Sequence, residues 1–186
     1  MGYLARQQAR GIYVDDYDEG LAPATSHPAF VAVAPESFYD GADEFAPFGN
    51  DDGHDVLGAL ADWYLAGGAD DDVPAFLVDA LTGYDVPDGM WAADSDVARA
   101  WVVAADEDDH IVTAAAQTAV GVALGQLKIR GHVTSAVRRI GWQAVTLHRT
   151  LAEQAEVRYP GRQHAAASAA GVDAIVRVLT VAPSAP

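Results

Sequence analysis

Between Val133 and Leu151 the apolar residues Val133, Val137, Ile140, Ala144, Leu147 and Leu151 return in alternating steps of four and three, and Ala155 continues the row. An α-helix brings residues at those steps onto one face, and a stripe that long needs other helices to cover it. The preceding stretch has the same character, with Ile111, Val112, Ala115, Ala119, Val122, Ala123 and Leu127 on one helical face. Only the segment around Gly131 and Thr134 separates the two, and so short a connection makes them antiparallel neighbours. Pro160-Gly161 ends the second helix, and Val172, Ile175, Val176 and Leu179 mark a third between Gln163 and Val181. Three alanine-rich helices over residues 110–182 predict a mostly α fold, a helical bundle. At 186 residues, 51% of them hydrophobic, the chain is long enough to bury one core and is read as a single domain.

Ahead of this part lie two regions of different texture. Residues 45–109 read as short helices with turns between them. Val73-Pro74 opens one helix with Phe76, Leu77, Ala80 and Leu81 on a face, and residues 83–93 form a loop with a Pro-Asp-Gly turn. Ser95 is placed to cap a helix from Asp96 to Ala105, and Asp109, ending the acidic run from Asp106, to cap the long helix from His110. Residues 1–44 are punctuated by Pro23, Pro28 and Pro35 and read as an irregular, loop-rich acidic segment, with a short strand at Phe30–Val33. Its aromatic residues Tyr13, Tyr17, Phe38 and Tyr39 are spaced to anchor it on the core.

Charge is laid out unevenly. Residues 1–127 hold 24 Asp/Glu against three Arg, whereas residues 128–186 hold three Asp/Glu against eight Lys/Arg. A net charge of −16 repels nucleic acid and anionic membranes, so neither is expected as a partner; a basic protein is the natural complement. Arg138, Arg139, Arg149, Trp142 and His148 read either as an anion or partner site or as internal partners of the acidic N-terminal region. Cysteine is absent, which excludes disulfides, thiolate catalysis and sulfur-ligated zinc. The six histidines are 27, 56, 22, 16 and 16 residues apart, so none pairs within a helical turn as a zinc helix requires. The N-terminal residues hold no apolar run of signal-peptide length, and the weakly polar run from Ala114 to Leu127 is too short to span a bilayer. A cytoplasmic location is expected.

The densest cluster of chemistry-bearing side chains lies in Phe45–Gly68, FAPFGNDDGHDVLGALADWYLAGG. Pro47, Gly49 and Asn50 are turn formers, Asp52 is placed as helix N-cap with Asp55 in the reciprocal position, and the helix is expected from Gly53 to the stop at Gly67-Gly68. Glu44, Asn50, Asp51, Asp52, His54, Asp55 and Trp63 are the candidate binding residues. Asp51, His54 and Asp55 are the candidate ligands of a divalent cation, the one cofactor these oxygen donors would suit. The calcium-loop template fails here: with its sixth-position glycine on Gly53, positions one and twelve fall on Phe48 and Ala59.

Several of these residues carry a resemblance. His27-Pro28, Phe38-Tyr39, Glu44 and the box Pro47-Phe48-Gly49-Asn50-Asp51-Asp52-Gly53 with Asp55 resemble, in this order, the pattern of the YfeS-like family of uncharacterised bacterial proteins, in which Ser or Asn stands at the position of Asn50. A fainter likeness covers 110–131, where a helix ends in Gln126-Leu127-Lys128-Ile129-Arg130-Gly131. The resemblance implies a mostly helical fold and a box that matters, and no activity.

Two functions from different classes are expected. One is a non-enzymatic interaction or regulatory protein, possible as an immunity-type factor, that binds a basic protein, with self-association left open. The alternative is an enzyme, small-molecule or metal-binding protein that uses the acidic box around Asp51–Asp55.

Overall fold

A computed structural model describes residues 3–16, 18–91, 95–105 and 109–185. Among the described residues eight α-helices follow one another: α1 Tyr3–Ala9, α2 Pro28–Val31, α3 Asp51–Leu65, α4 Val73–Ala80, α5 Ser95–Ala105, α6 Asp109–Arg130, α7 Ser135–Arg158 and α8 Ala165–Val181. Among the described residues there is no strand, only an isolated bridge between Val133 and Ser184. The strand expected at Phe30–Val33 is instead the end of α2 and the turn after it. Pro28 starts α2 at a position that needs no amide, and His27 Nδ1 accepts from the Ala29 amide at 3.1 Å, so a helical turn outcompetes the β-prone Val-Ala-Val run. Tyr17 and the acidic run 106–108 lie outside the described residues, as does the Ser95 side chain.

The middle of the fold is α6. The sequence gives it one apolar face, but from Thr118 to Ile129 every residue is buried, because α3, α7, α5, α2 and α4 all pack around it. Its small residues permit this. At Gly121 a methyl group would lie 2.5 Å from Val56 Cγ1 and 3.2 Å from the Gly53 backbone, so α3 and α6 cross with a glycine on each side. The antiparallel α6–α7 pair forms as expected, with the Thr134 hydroxyl capping α7 through the Val137 amide. Leu57, Leu60, Val137 and Ile140 are buried in one apolar cluster that runs from Ile12 to Ala182; Leu147 lies in a smaller one shared by α5, α6 and α7. The Pro-Asp-Gly turn is present, closed by the Met90 amide on Pro87 O, with Gly89 at φ 72°.

The N-terminal region is fastened to α6 by charge. Lys128, 1% exposed, meets Asp15 Oδ1 at 2.7 Å. Asp70 accepts from Tyr64 Oη, Arg130 Nε and His132 Nε2 at 2.9, 3.3 and 2.9 Å, and these donors hold its carboxyl below the usual range although burial opposes them. Internal pairing with the acidic region therefore occurs, but through these cations and not those expected. Arg138 instead donates to the Leu179 and Ala182 carbonyls at the end of α8, and Arg149 meets Asp173 at 3.7 Å. Among the described residues no helix is long and apolar enough to cross a membrane.

Candidate ligand pocket beside the acidic box

The box is built as a junction. Phe48 is fully buried against Phe30, with ring centroids 6.1 Å apart, which fixes the turn to the core. Asn50 is extended and caps α3: its Oδ1 accepts from the Gly53 amide at 2.8 Å and its Nδ2 donates to Ala46 O at 2.9 Å. The cap is therefore Asn50 and not Asp52 with Asp55, and α3 begins two residues earlier than expected. A carboxylate could only accept; the amide both accepts from the helix and donates back into the turn. A methyl group at Gly53 would lie 2.0 Å from Pro47 O, so the turn folds directly onto the helix start.

With the cap assigned to Asn50, the acids of the box sort differently from the expectation. Asp51 and Asp52 occupy the first turn of α3, where the helix dipole favours them. Asp51, His54, Asp55 and Glu44 are exposed. Asp52 is half-buried, and burial, with Asp51 and Asp55 nearby, raises its carboxyl pKa against a hydrogen bond from Tyr84. His54 faces a hollow it shares with Tyr13, Asp15 and Lys128. Trp63 stands twelve residues beyond Asp51, roughly 18 Å along the helix, and packs on Gly68 and Phe76. Among the described residues no three His, Asp or Glu side chains come together as a metal site, Asp51, His54 and Asp55 included.

Two of the candidate residues, Glu44 and Asn50, line a cavity of about 360 Å³ behind the box. Asp109, Thr113 and Gln117 of α6 form a second wall, and His148 and Leu151 of α7 a third. The fourth is the entry to α8, with Arg162, His164 and Ser168, above an apolar floor of Val120, Val172 and Ile175. The box is clamped onto α8: Phe45 lies on the His164 ring, centroids 6.2 Å apart, and a methyl group at Gly171 would lie 2.6 Å from Phe45 O. Asp109 is matched by Arg158 at 3.7 Å. Arg162 is not matched: its Nε is enclosed and has no hydrogen-bond partner. Burial pushes the His148 imidazole down to about 4, so it is neutral at physiological pH. Polar groups of both signs above an apolar floor are what a small-molecule site offers.

Sequence reasoning missed Arg162, His164 and Ser168 and placed His148 in a different setting. Arg162, His164 and Ser168 lie 14 or more residues beyond His148, which is in the middle of α7, and only the α7–α8 packing brings the two sets together, so no spacing signals it. His148 gives a pH prediction. Its folded pKa lies below the usual 6.5, so the stability it confers is present above that value and is lost as pH falls from 6.5 towards 4. His27, also depressed by burial, acts in the same direction. Thermal melts at pH 7 and pH 4.5 should therefore show a smaller drop for His148→Gln than for the wild type; equal drops would contradict the assignment.

No family model matches the chain, and no solved structure matches it. Among curated proteins it is similar to a protein of Escherichia coli (strain K12) described as "Uncharacterized protein YfeS", 28% identical over 146 residues. That match covers 76% of this chain and 57% of the relative, so the chain spans little more than half the relative's length. The likeness to the YfeS-like family thus reaches well beyond the box, over three quarters of the chain.

Proposed function

We propose that the protein binds a small polar molecule in the cavity between the box and α6–α8. This is the ligand-binding alternative, moved from Asp51–Asp55 to the hollow behind them. The observation that supports it is Arg162, a guanidinium that lines a cavity with neutral His148 and an apolar floor and enters no ion pair among the described residues. A cation left without a counter-charge in a cavity wall suits an anionic group brought in from outside the chain. A ligand of the native state must raise its apparent stability, by about 2.7 kcal/mol at a hundred times Kd. A metabolite panel screened by thermal shift should yield compounds that raise the wild-type melting temperature but not that of Ala152→Phe, which narrows the cavity. A panel that moves both proteins alike, or neither, counts against the proposal.

The interaction reading keeps support from a separate observation. Asp51, Asp55, Asp62, Asp71, Asp72 and Asp79 are exposed and enter none of the ion pairs among the described residues, while Lys128, Arg130 and His132 are spent inside the fold. A basic protein would meet this surface, with association that weakens as salt rises. Replacing Asp51, Asp55 and Asp62 by Asn should slow that association; unchanged kinetics would remove the surface from consideration.

A further inference from the structure

Three properties of the cavity restrict what it can hold. The first is a cation in the wall: Arg162 lines the cavity and has no ion pair among the described residues. Guanidinium presents a planar fork of donors that matches a carboxylate. The second is a lone acid on another wall. Glu44 is exposed and makes no ion pair among the described residues, whereas Asp109 is occupied by Arg158. The third is the floor, where Val120, Val172 and Ile175 with Leu151 offer only apolar contact.

Charge then decides between ligands. A chain of net charge −16 repels a free anion before it reaches Arg162. A simple amine would meet Glu44 and leave Arg162 unmatched. A molecule carrying both charges has no net charge, is not repelled, and satisfies both walls. We propose that the cavity takes a small zwitterion of the free amino acid class with an apolar side chain: its carboxylate on Arg162, its ammonium on Glu44 and its side chain on the Val120–Val172–Ile175 floor. This rests on the cavity being the ligand site.

The test is isothermal titration calorimetry with a matched set: L-leucine, L-methionine and L-phenylalanine, then 4-methylpentanoate, which lacks leucine's ammonium, and 3-methylbutylamine, which lacks its carboxylate. The expected result is binding of at least one of the amino acids, with 3-methylbutylamine about tenfold weaker or undetectable, since a hydrogen bond to a charged group is worth about that factor or more, and 4-methylpentanoate weaker by at least the roughly few-fold worth of an exposed pair. Arg162→Gln should lose about tenfold for the bound amino acid and Arg162→Lys less, because lysine keeps the charge without the fork. Glu44→Gln should lose a few-fold, roughly, as suits an exposed pair. Arg162→Gln proteins that melt like the wild type yet bind as well as it would overturn the proposal, as would 4-methylpentanoate binding as tightly as leucine. A different compound that Ala152→Phe excludes, with no amino acid binding, would overturn the zwitterion and leave the cavity reading standing. No ligand at all in either screen would remove both.

Discussion

Gly53→Ala should lower stability by about 3 kcal/mol, the upper end of what overpacking usually costs. The added methyl would sit 2.0 Å from Pro47 O and 3.1 Å from Asn50 Oδ1, so it collides with backbone and not with the end of a flexible side chain. Neither side can yield cheaply. Pro47 and Phe48 are buried, Asn50 is tied to both Ala46 and Gly53, and the opposite surface of Gly53 meets Gly121 of α6. Relief would require α3 to back away from α6 and open one of the most extensive helix contacts among the described residues, around Val56, Leu57 and Leu60. Chemical denaturation followed by circular dichroism measures the loss. A change below about 1 kcal/mol would mean that the turn and the helix are not in close contact, since surface-like substitutions fall in that range.

The second large effect concerns the strut between the N-terminal region and α6. Asp15→Ala should cost about 3 kcal/mol, because it strands a lysine that is 1% exposed and has no other ion pair among the described residues. Asp15 also accepts from the Thr25 hydroxyl at 2.5 Å, so a second group loses its partner. Lys128→Met should be far milder, since an unbranched apolar chain fills the same channel and the acid it abandons is partly exposed. The double variant should recover most of the loss. Burial already lowers the Lys128 ammonium pKa against the pull of Asp15, and without Asp15 that opposing pull is gone and the pKa is lowered further. Stability of Asp15→Ala should therefore rise as pH approaches the lysine range, which the wild type should not show to the same degree. Equal costs for Asp15→Ala and Lys128→Met would show that packing, and not charge, sets the energetics here.

The helical architecture was legible because long periodic stripes leave little choice. From Val137 to Leu151 the row is a face of α7, with Val137, Ile140 and Leu147 buried, while Val133 lies just ahead of the helix and bridges to Ser184. Periodicity was less informative for α6, whose alanines and glycines read as one weak face although the helix is enclosed on all sides; small residues hide burial because they carry little hydrophobicity. The cap of α3 was missed by two residues. The clue was present in Asn50, which follows a turn glycine and stands where YfeS-like proteins carry Ser or Asn, both strong N-cap residues. The run of carboxylates after it drew attention away. Glu44 and Asn50, which line the proposed cavity, are among the candidates the sequence offers, but Arg162, His164 and Ser168, which line it too, are not, because contacts between distant helices leave no trace in spacing. The cations chosen for internal pairing were wrong for a similar reason: Lys128 and Arg130 reach the acidic region since α6 ends beside it, and nothing in the order of residues says where a 22-residue helix ends in space.

The assignment of the α3 cap to Asn50, and not to Asp52 with Asp55, makes the acidic box a folding junction. It is tested most directly by melting four proteins side by side: wild type, Asn50→Ala, Asp52→Asn and Asp55→Asn. Asn50→Ala removes an accepted and a donated hydrogen bond at the start of α3 and should lose about 1–2 kcal/mol. Asp52→Asn and Asp55→Asn should melt at or slightly above the wild-type temperature at pH 7. The raised Asp52 pKa means that its charged form opposes folding there, a penalty absent below the ordinary carboxylate range and fully present above the raised value. Asn also retains an acceptor for Tyr84. Asn50→Ala melting with the wild type would contradict the assignment, whatever the aspartate variants do, because the asparagine of Asp52→Asn could itself cap a helix.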